Sequence, residues 1–464
     1  MKRKSALILF SCLFLAAAAS PPKPPAKIPS IEPFSKTDRV LVLAPHPDDE
    51  VIGCAGVIQE AVKAKAAVRV AYLTNGEHNE FAFIVYEKRI TLRQKEFIHL
   101  GQVRRSESIK SMELLGLKEN DLIFLGYPDF GTFTIFSRYW QTDRPYSTLL
   151  TRISSVPYKQ NLSFRAPYVG ESILNDIKKV LREFKPNKIF VTHPADTNGD
   201  HRAFYLFLQV ALRDLRKEMP MPIVRPYLVH CVGWPLPRHY HPQLKLQPPD
   251  KFINSEMSWL QFSLTTQQLE KKHEAILAHK SQTRSSAFYL LAFIRSNELF
   301  SDYPEIELMP QEAVRPQVLR FSGFSDMYAD IGDEAETPDE GKIKDAGRVG
   351  FATADKSLYI RIEKEKEMGN RFGFIIYLFG YNDRIPFSQM PKIRVIAKGK
   401  KFKILSGRKV ISPQGVTLQK NSTELILKVP LDVLGSPDFI LTSMKGYGGR
   451  LPADAIAFRK IRIK

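Results

Sequence analysis

Two short stretches of this chain gather residue types that can hold a metal ion. The first, Ala44-Pro45-His46-Pro47-Asp48-Asp49-Glu50, closes an apolar run and leads straight into a helical pattern. His46 offers an imidazole and Asp49 a carboxylate. Pro47 stiffens the loop so that both can converge on one ion, and Asp48, between them, points elsewhere and stays free as a base. The second stretch, Thr192-His193-Pro194-Ala195-Asp196-Thr197-Asn198-Gly199-Asp200-His201-Arg202, has the same setting. Two such ends side by side can complete a site of two imidazoles and one carboxylate. Three protein ligands leave a fourth position for water, the habit of catalytic zinc, whereas structural zinc takes four ligands, usually with thiolates. Zinc brings its water toward a pKa of about 7, and Asp48 can take the remaining proton. Acidic residues at a helix start also serve as plain caps. That reading serves Glu50 equally well, but capping does not explain an imidazole at a strand end twice over.

The elements that must position these residues are legible on either side. Val40 to Leu43 is a continuous apolar run, as in a parallel strand buried on both faces, and Val51, Ala55, Ile58 and Val62 form one stripe of a following helix. The alternation continues with a strand at Val68 to Leu73, a helix at Ser106 to Leu115, a strand at Leu122 to Leu125, a helix at Ile173 to Phe184 and a strand at Ile189 to Thr192. This predicts an α/β, doubly wound, mostly parallel sheet over 37–303, with ligands bound beyond the carboxyl ends of its strands. From Pro304 the pattern changes to period two: Leu358, Ile360 and Ile362; Phe372, Phe374, Ile376 and Leu378; Leu425, Leu427 and Val429; Ile456, Phe458, Ile461 and Ile463. Short strands parted by Gly, Pro and Asn predict an antiparallel β-sandwich over 304–464.

Composition narrows the partners. Of 464 residues, 44% are hydrophobic and 25% charged, which excludes disordered, collagenous and coiled-coil chains. The net charge of +19 favours anionic partners. Residues 1–20 read as a cleaved secretory signal: Met1 to Lys4 basic, Ala6 to Leu15 apolar, Ala16 to Ser20 small. The apolar run continues past Cys12, which suits ordinary cleavage better than a lipid site, and it is too short for a transmembrane anchor. A Pro-rich tether follows over 21–36. Export predicts a secreted, periplasmic or envelope-associated protein that meets an anionic cell envelope, not nucleic acid, for which no reading element is present. Cys54 and Cys231 sit in apolar surroundings and read as buried free thiols, with a bridge left open.

The string PHPDDEVIGC followed by HPADTNGDHR resembles the zinc-dependent de-N-acetylases that include the GlcNAc-phosphatidylinositol deacetylase (PIG-L, or LmbE-like) family. Further matches are Leu73-Thr74-Asn75-Gly76-Glu77, Arg104 with Glu107, Leu125-Gly126-Tyr127-Pro128-Asp129, Val229-His230 with Trp234-Pro235, and Lys280-Ser281-Gln282, so the resemblance spans roughly Arg39 to Leu299. It implies a Rossmann-like domain, zinc or another divalent metal on His46, Asp49 and His201, and Asp48 as general base. Arg104 and Asp129 match positions that contact sugar hydroxyls, so the implied substrate is an N-acetylglucosamine-type sugar in a glycan or glycolipid. Many members carry His three residues before the last ligand. Here Asn198 stands there, able to donate a hydrogen bond to an oxyanion but not to shuttle a proton; the acid is then Asp48 after it has taken its proton, or His193. Asp200 is expected to orient a metal-binding histidine. The alternatives are a zinc amidase on a small sugar-containing metabolite and a catalytically inactive glycan-binding protein. The β-rich region loosely resembles carbohydrate-binding domains, with Tyr359, Tyr377 and Tyr381 as candidates to stack on sugar rings and Asp326 to Glu340 as a candidate calcium loop.

Overall fold

The computed structural model describes residues 28–78, 93–149, 151–253, 256–312, 319–329, 347–365, 367–368, 372–399, 401–448 and 451–464. The expected signal, residues 21–27 of the tether, residues 79–92 and most of the Asp326 to Glu340 stretch lie outside the described residues.

Five parallel strands, β1 (Arg39–Ala44), β2 (Ala67–Thr74), β3 (Leu122–Tyr127), β4 (Lys188–Thr192) and β5 (Ile223–Tyr227), form one sheet in the order β3-β2-β1-β4-β5. The central strand shows why its sequence is apolar throughout. Val40, Val42 and Ala44 enter the core on one face and Leu41 and Leu43 the core on the other. Helices α1 (Asp49–Lys63) and α2 (Gln94–Leu114) contribute to the first of these cores, and α3 (Thr132–Arg138), α4 (Gly170–Phe184) and α5 (Gly199–Leu215) to the second. Helix α2 begins twelve residues before the expected Ser106. Its first turns bury Phe97 and Leu100 among polar residues, and the Glu96 carboxylate that accepts from the Arg93 N–H marks the true start.

An antiparallel pair, β6 (Ser258–Ser263) and β7 (Asn297–Asp302), is joined through α6 (Thr266–Ala278) and α7 (Lys280–Leu290) and packs on the α1 side. Residues at the end of the tether lie against this layer: the Ile31 N–H donates to the Gln261 carbonyl at 3.0 Å, and Phe34 meets Phe190.

The C-terminal region holds two sheets. One centres on the strands Gly347–Ala354, Ser357–Lys364 and Glu424–Pro430, the other on Phe372–Tyr381, Lys392–Lys398, Lys401–Ser406 and Phe439–Gly448. The alternating rows Leu358/Ile360/Ile362, Phe374/Ile376/Leu378 and Leu425/Leu427/Val429 meet in one apolar core. The region is mixed and not purely antiparallel. The short strands Ile306–Leu308 and Pro310–Gln311, laid down as the chain leaves the α/β domain, pair parallel with Arg459–Ile463 and Gly347–Ala354.

The other face of the second sheet corrects the expectation for its tyrosines. Tyr377, Phe379 and Tyr381 pack against the α/β domain, with Phe133–Tyr377 centroids 5.3 Å apart and Phe136–Phe379 5.2 Å apart. Tyr359 is buried as well. All three tyrosines are packing residues: Tyr377 and Tyr381 fill the domain junction, and Tyr359 packs with Leu319, Ala352, Ala354 and Ile426 within the β-rich region. Cys54 and Cys231 are free and buried, and no helix among the described residues is long and apolar enough to cross a membrane.

Candidate metal centre and active site

The sheet order reverses direction between β1 and β4, and that switch point is where the two motif loops emerge together. The loop after β1 carries His46, Asp48 and Asp49, and α5, after β4, carries His201. Three atoms converge there: His46 Nδ1 lies 3.2 Å from His201 Nε2 and 3.3 Å from Asp49 Oδ2, and the last two lie 3.2 Å apart. Donors bound to a tetrahedral ion at 2.0–2.1 Å would stand about 3.3 Å apart. The three residues therefore fit a zinc-sized ion on the donor set and on the spacing. A second triad, His46 with Asp129 and Asp200, uses the other ring nitrogen of His46.

Each imidazole is held from behind. His201 Nδ1 meets Asp196 Oδ2 at 3.1 Å, and His46 Nε2 meets Asp129 Oδ1 at 3.0 Å and Asp200 Oδ2 at 3.3 Å. A carboxylate on the far nitrogen fixes the tautomer and the ring plane of a metal-binding histidine. Asp196 is itself fixed, accepting from the Val229 and His230 N–H groups at the end of β5. Four buried carboxylates around two imidazoles make the cage strongly electronegative. Burial alone would depress both histidines, but Asp196 and Asp49 push His201 up to about 10, and Asp129, Asp200 and Asp49 hold His46 well above its ordinary range. Burial would likewise raise Asp49, yet His201 and His46 hold it well below the usual carboxylate range. The cage asks for positive charge.

Asp48 sits beside the triad with φ of +122°, a conformation that L-residues rarely adopt. Two contacts secure it: its N–H donates to Glu50 Oε2 at 2.9 Å, and its Oδ2 accepts from Arg104 Nη2 at 3.2 Å. Burial pushes its carboxyl up to about 7, with Arg104 opposing. Glu50 thus supports the Asp48 backbone, a finer role than capping.

The remaining sequence candidates are placed differently from expectation. Arg104, expected to meet sugar hydroxyls, is buried and donates to the Gly76 and Pro47 carbonyls at 2.8 and 2.7 Å. Gly76 permits this approach, since its φ is +67° and a Cβ there would stand 2.2 Å from the Arg104 guanidinium. Asp129, expected in the same role, is buried between His46 and the His78 N–H, which donates to it at 2.9 Å. Asn198, expected at the reacting carbonyl, is the N-cap of α5: its side-chain oxygen accepts from the Asp200 N–H at 2.8 Å and from the His201 N–H at 3.4 Å. Asp200 orients a histidine as expected of its type, but it is His46 rather than its neighbour His201, and it also accepts from the Phe130 and Thr132 N–H groups at 2.6 and 2.9 Å. His193 does not reach inward. It is buried, accepts from the Ala195 N–H, and stacks on Trp259 at 5.9 Å.

Asp196 and His230 are two residues of the site for which the motifs alone imply no role. His230 stands edge-on to His201, with centroids 4.8 Å apart, and its other face stacks on Tyr289. The signal for both is positional: Asp196 lies just beyond the carboxyl end of β4, at the switch point, and His230 just beyond that of its neighbour β5.

Comparison with known proteins bears on this site. Residues 41–212 match the PIG-L family, GlcNAc-PI de-N-acetylase. The PIG-L match begins inside β1 and ends in α5, so it encloses both motif loops. A Bacteroides thetaiotaomicron protein described as glucosamine-6-phosphate deaminase-like is 27% identical over 270 residues, 55% of this chain; the chain spans 37% of that protein's length. Among solved structures, the N,N'-diacetylchitobiose deacetylase of Pyrococcus horikoshii is similar over 52% of this chain and 70% of its own, at 21% identity and a TM-score of 0.32. The A40926 pseudoaglycone deacetylase Dbv21 is similar over 57% and 96%, at 16% identity and a TM-score of 0.36.

Proposed function

We propose that this protein is a metal-dependent hydrolase that removes the N-acetyl group from an N-acetylglucosamine-type sugar in a glycan or glycolipid, giving acetate and a free amine. The observation that carries this reading is the triangle of His46 Nδ1, Asp49 Oδ2 and His201 Nε2, with edges of 3.2–3.3 Å, next to the raised carboxyl of Asp48. The PIG-L match over residues 41–212 supports it. A zinc or other divalent ion bound by these three residues would supply Lewis acidity and lower the pKa of water at its fourth position. The chain's own groups do the rest. Asp48 accepts a proton from the attacking water and passes it to the leaving nitrogen as the amide C–N bond breaks. Arg104 and Glu50 hold Asp48 at that point, while Asp196, Asp129 and Asp200 keep both imidazoles aimed.

The expected export signal makes an envelope glycan the natural source of substrate, and cell fractionation tests it: protein confined to the cytosol would point instead to an amidase on a small sugar-containing metabolite. The catalytic proposal is tested by acetate release from N-acetylated oligosaccharides, with ammonia followed in parallel. Acetate that disappears with chelator supports it. Ammonia without acetate, or no product from metal-loaded protein, overturns it.

A further inference from the structure

The forty residues 384–423 contain ten lysines and arginines and no aspartate or glutamate. The structure folds this stretch so that much of its charge falls on one sheet face. Arg394 stands opposite Tyr377 in the register, so it shares the face that packs on the α/β domain. Further out on that face lie Lys398, directly opposite Lys401, and then Lys403, two residues along the strand. All three lysines are exposed, and among the described residues none has an acidic partner. Two lysines directly opposite on one face repel, which a sheet tolerates only at some loss of stability.

One end of the strip reaches the helix that starts at the metal cage. The Arg408 guanidinium lies over the Tyr139 ring at 5.0 Å, just past the end of α3. Helix α3 starts at Thr132, bonded to Asp200 of the metal cage, and ends at Arg138, about 9 Å along its axis. A second and independent sign comes from Arg394. It is buried, its Nη2 donates to the Gly407 carbonyl at 2.8 Å, and its Nε has no partner among the described residues. Burial depresses it, and the neighbouring Arg138 depresses it further. Two guanidinium groups this close, one with a buried donor unmet, leave the junction short of negative charge.

We infer that Arg138, Arg394, Arg408, Lys398, Lys401 and Lys403 form a track that binds an anionic polysaccharide, a sugar chain bearing carboxylate, phosphate or sulfate groups, and leads it across the domain junction into the active site. The track lies on the sheet face turned toward the α/β domain, so its charge faces the junction with the domain that carries the candidate metal centre. This assignment rests on the deacetylase reading for its destination, but not for its binding step. The β-rich region then acts by charge, not by the buried tyrosines.

The test uses the full chain, metal-free, with fluorescently labelled hyaluronan decasaccharide as the acidic probe and a chito-oligosaccharide of equal length as the neutral one. Anisotropy titrations should show the acidic probe bound at least tenfold more tightly, with affinity falling as salt rises, since charged exposed contacts are screened. The triple variant Lys398→Glu, Lys401→Glu, Lys403→Glu should lose that advantage while keeping the wild-type melting temperature, because all three side chains are exposed. With metal restored, its turnover of N,N'-diacetylchitobiose, too short to reach these three lysines, should stay at the wild-type rate. Equal affinity for both probes, an unaltered triple variant, or tighter binding to phosphatidylglycerol vesicles than to the acidic probe would each overturn the track. If acetate is released from neither substrate while charge-dependent binding persists, the deacetylase reading has failed and the track stands.

Discussion

The metal cage and the basic strip both concentrate one sign of charge, yet they hold it in opposite ways. In the cage Asp49, Asp129, Asp196 and Asp200 are buried, and each is tied to an imidazole or to backbone N–H groups, so the charge is fixed in position by hydrogen bonds that leave it no other arrangement. On the strip Lys398, Lys401 and Lys403 are exposed at the ends of long, rotatable side chains. Buried charge of this kind is specific for an ion of one size, because desolvation penalises any poorly fitting occupant. Exposed charge attracts a whole class of polyanions and is weakened by salt. The difference teaches where to look for selectivity: the cage should discriminate among metals, the strip among glycans.

Breaking the cage should have the largest effect. Asp48→Asn keeps the shape but removes the proposed base, and turnover should fall by about 10²–10⁴-fold with metal content unchanged. His201→Ala should lose the metal itself. Acetate release and elemental analysis on the same preparations check both; an Asp48→Asn protein with near wild-type turnover would mean the base lies elsewhere.

The junction between the two regions comes next. Phe379 is fully buried against Phe136 and Phe458, and the Phe458 N–H donates to the Pro194 carbonyl in the loop before α5. Phe379→Ala should cost about 3–5 kcal/mol of unfolding free energy in urea titration, whereas Lys403→Glu should change it by less than about 0.5 kcal/mol. If Phe379→Ala unfolds in two well-separated steps, the regions fold independently and the junction contributes little.

A smaller effect is expected behind the metal. Asp196→Asn keeps a hydrogen-bond acceptor but removes the charge that aligns His201. Metal affinity should fall by about 10–100-fold, measured by competition with a chromophoric chelator. Affinity equal to that of wild type would leave Asp196 a loop residue only, bonded to Val229 and His230.

The same residues show what the sequence reveals and what it conceals. His46, Asp48, Asp49 and His201 were legible because chemistry demands those residue types at strand ends. Which carboxylate aims at which ring was not. Asp200 and His201 are adjacent in a helix, where successive side chains diverge by about 100°, so Asp200 turns to the remote His46 while Asp196, in the loop before the helix, serves His201. Arg104 and Asp129 depend on loops from three strands meeting, which no local pattern encodes. In the β-rich region, alternation identified the inward rows correctly for Leu358, Ile360 and Ile362. It misassigned Phe458, which precedes the strand Arg459–Ile463 in irregular backbone and faces the α/β domain.

The gentlest perturbation concerns His193, the imidazole the cage leaves out. Burial beside Trp259 drives its pKa down to about 3, with Asp196 opposing only in part. The folded state therefore takes up this proton less readily than the unfolded chain, whose histidines titrate near about 6.5. The contribution of His193 to stability is complete above that value. It is lost as pH falls from about 6.5 toward 3, at up to about 1.4 kcal/mol per pH unit. His46 and His201, raised by their carboxylates, act with the opposite sign in the metal-free protein, so the total pH dependence would not isolate the effect. A comparison with His193→Asn does, since Asn can still accept from the Ala195 N–H but cannot titrate. Between pH of about 6.5 and 5.5, urea unfolding of the wild type should lose about 1 kcal/mol more than the variant. Parallel stability curves would show that the ring takes up its proton in the fold as readily as in water, and that burial at the foot of the second motif loop is shallower than its packing on Trp259 indicates.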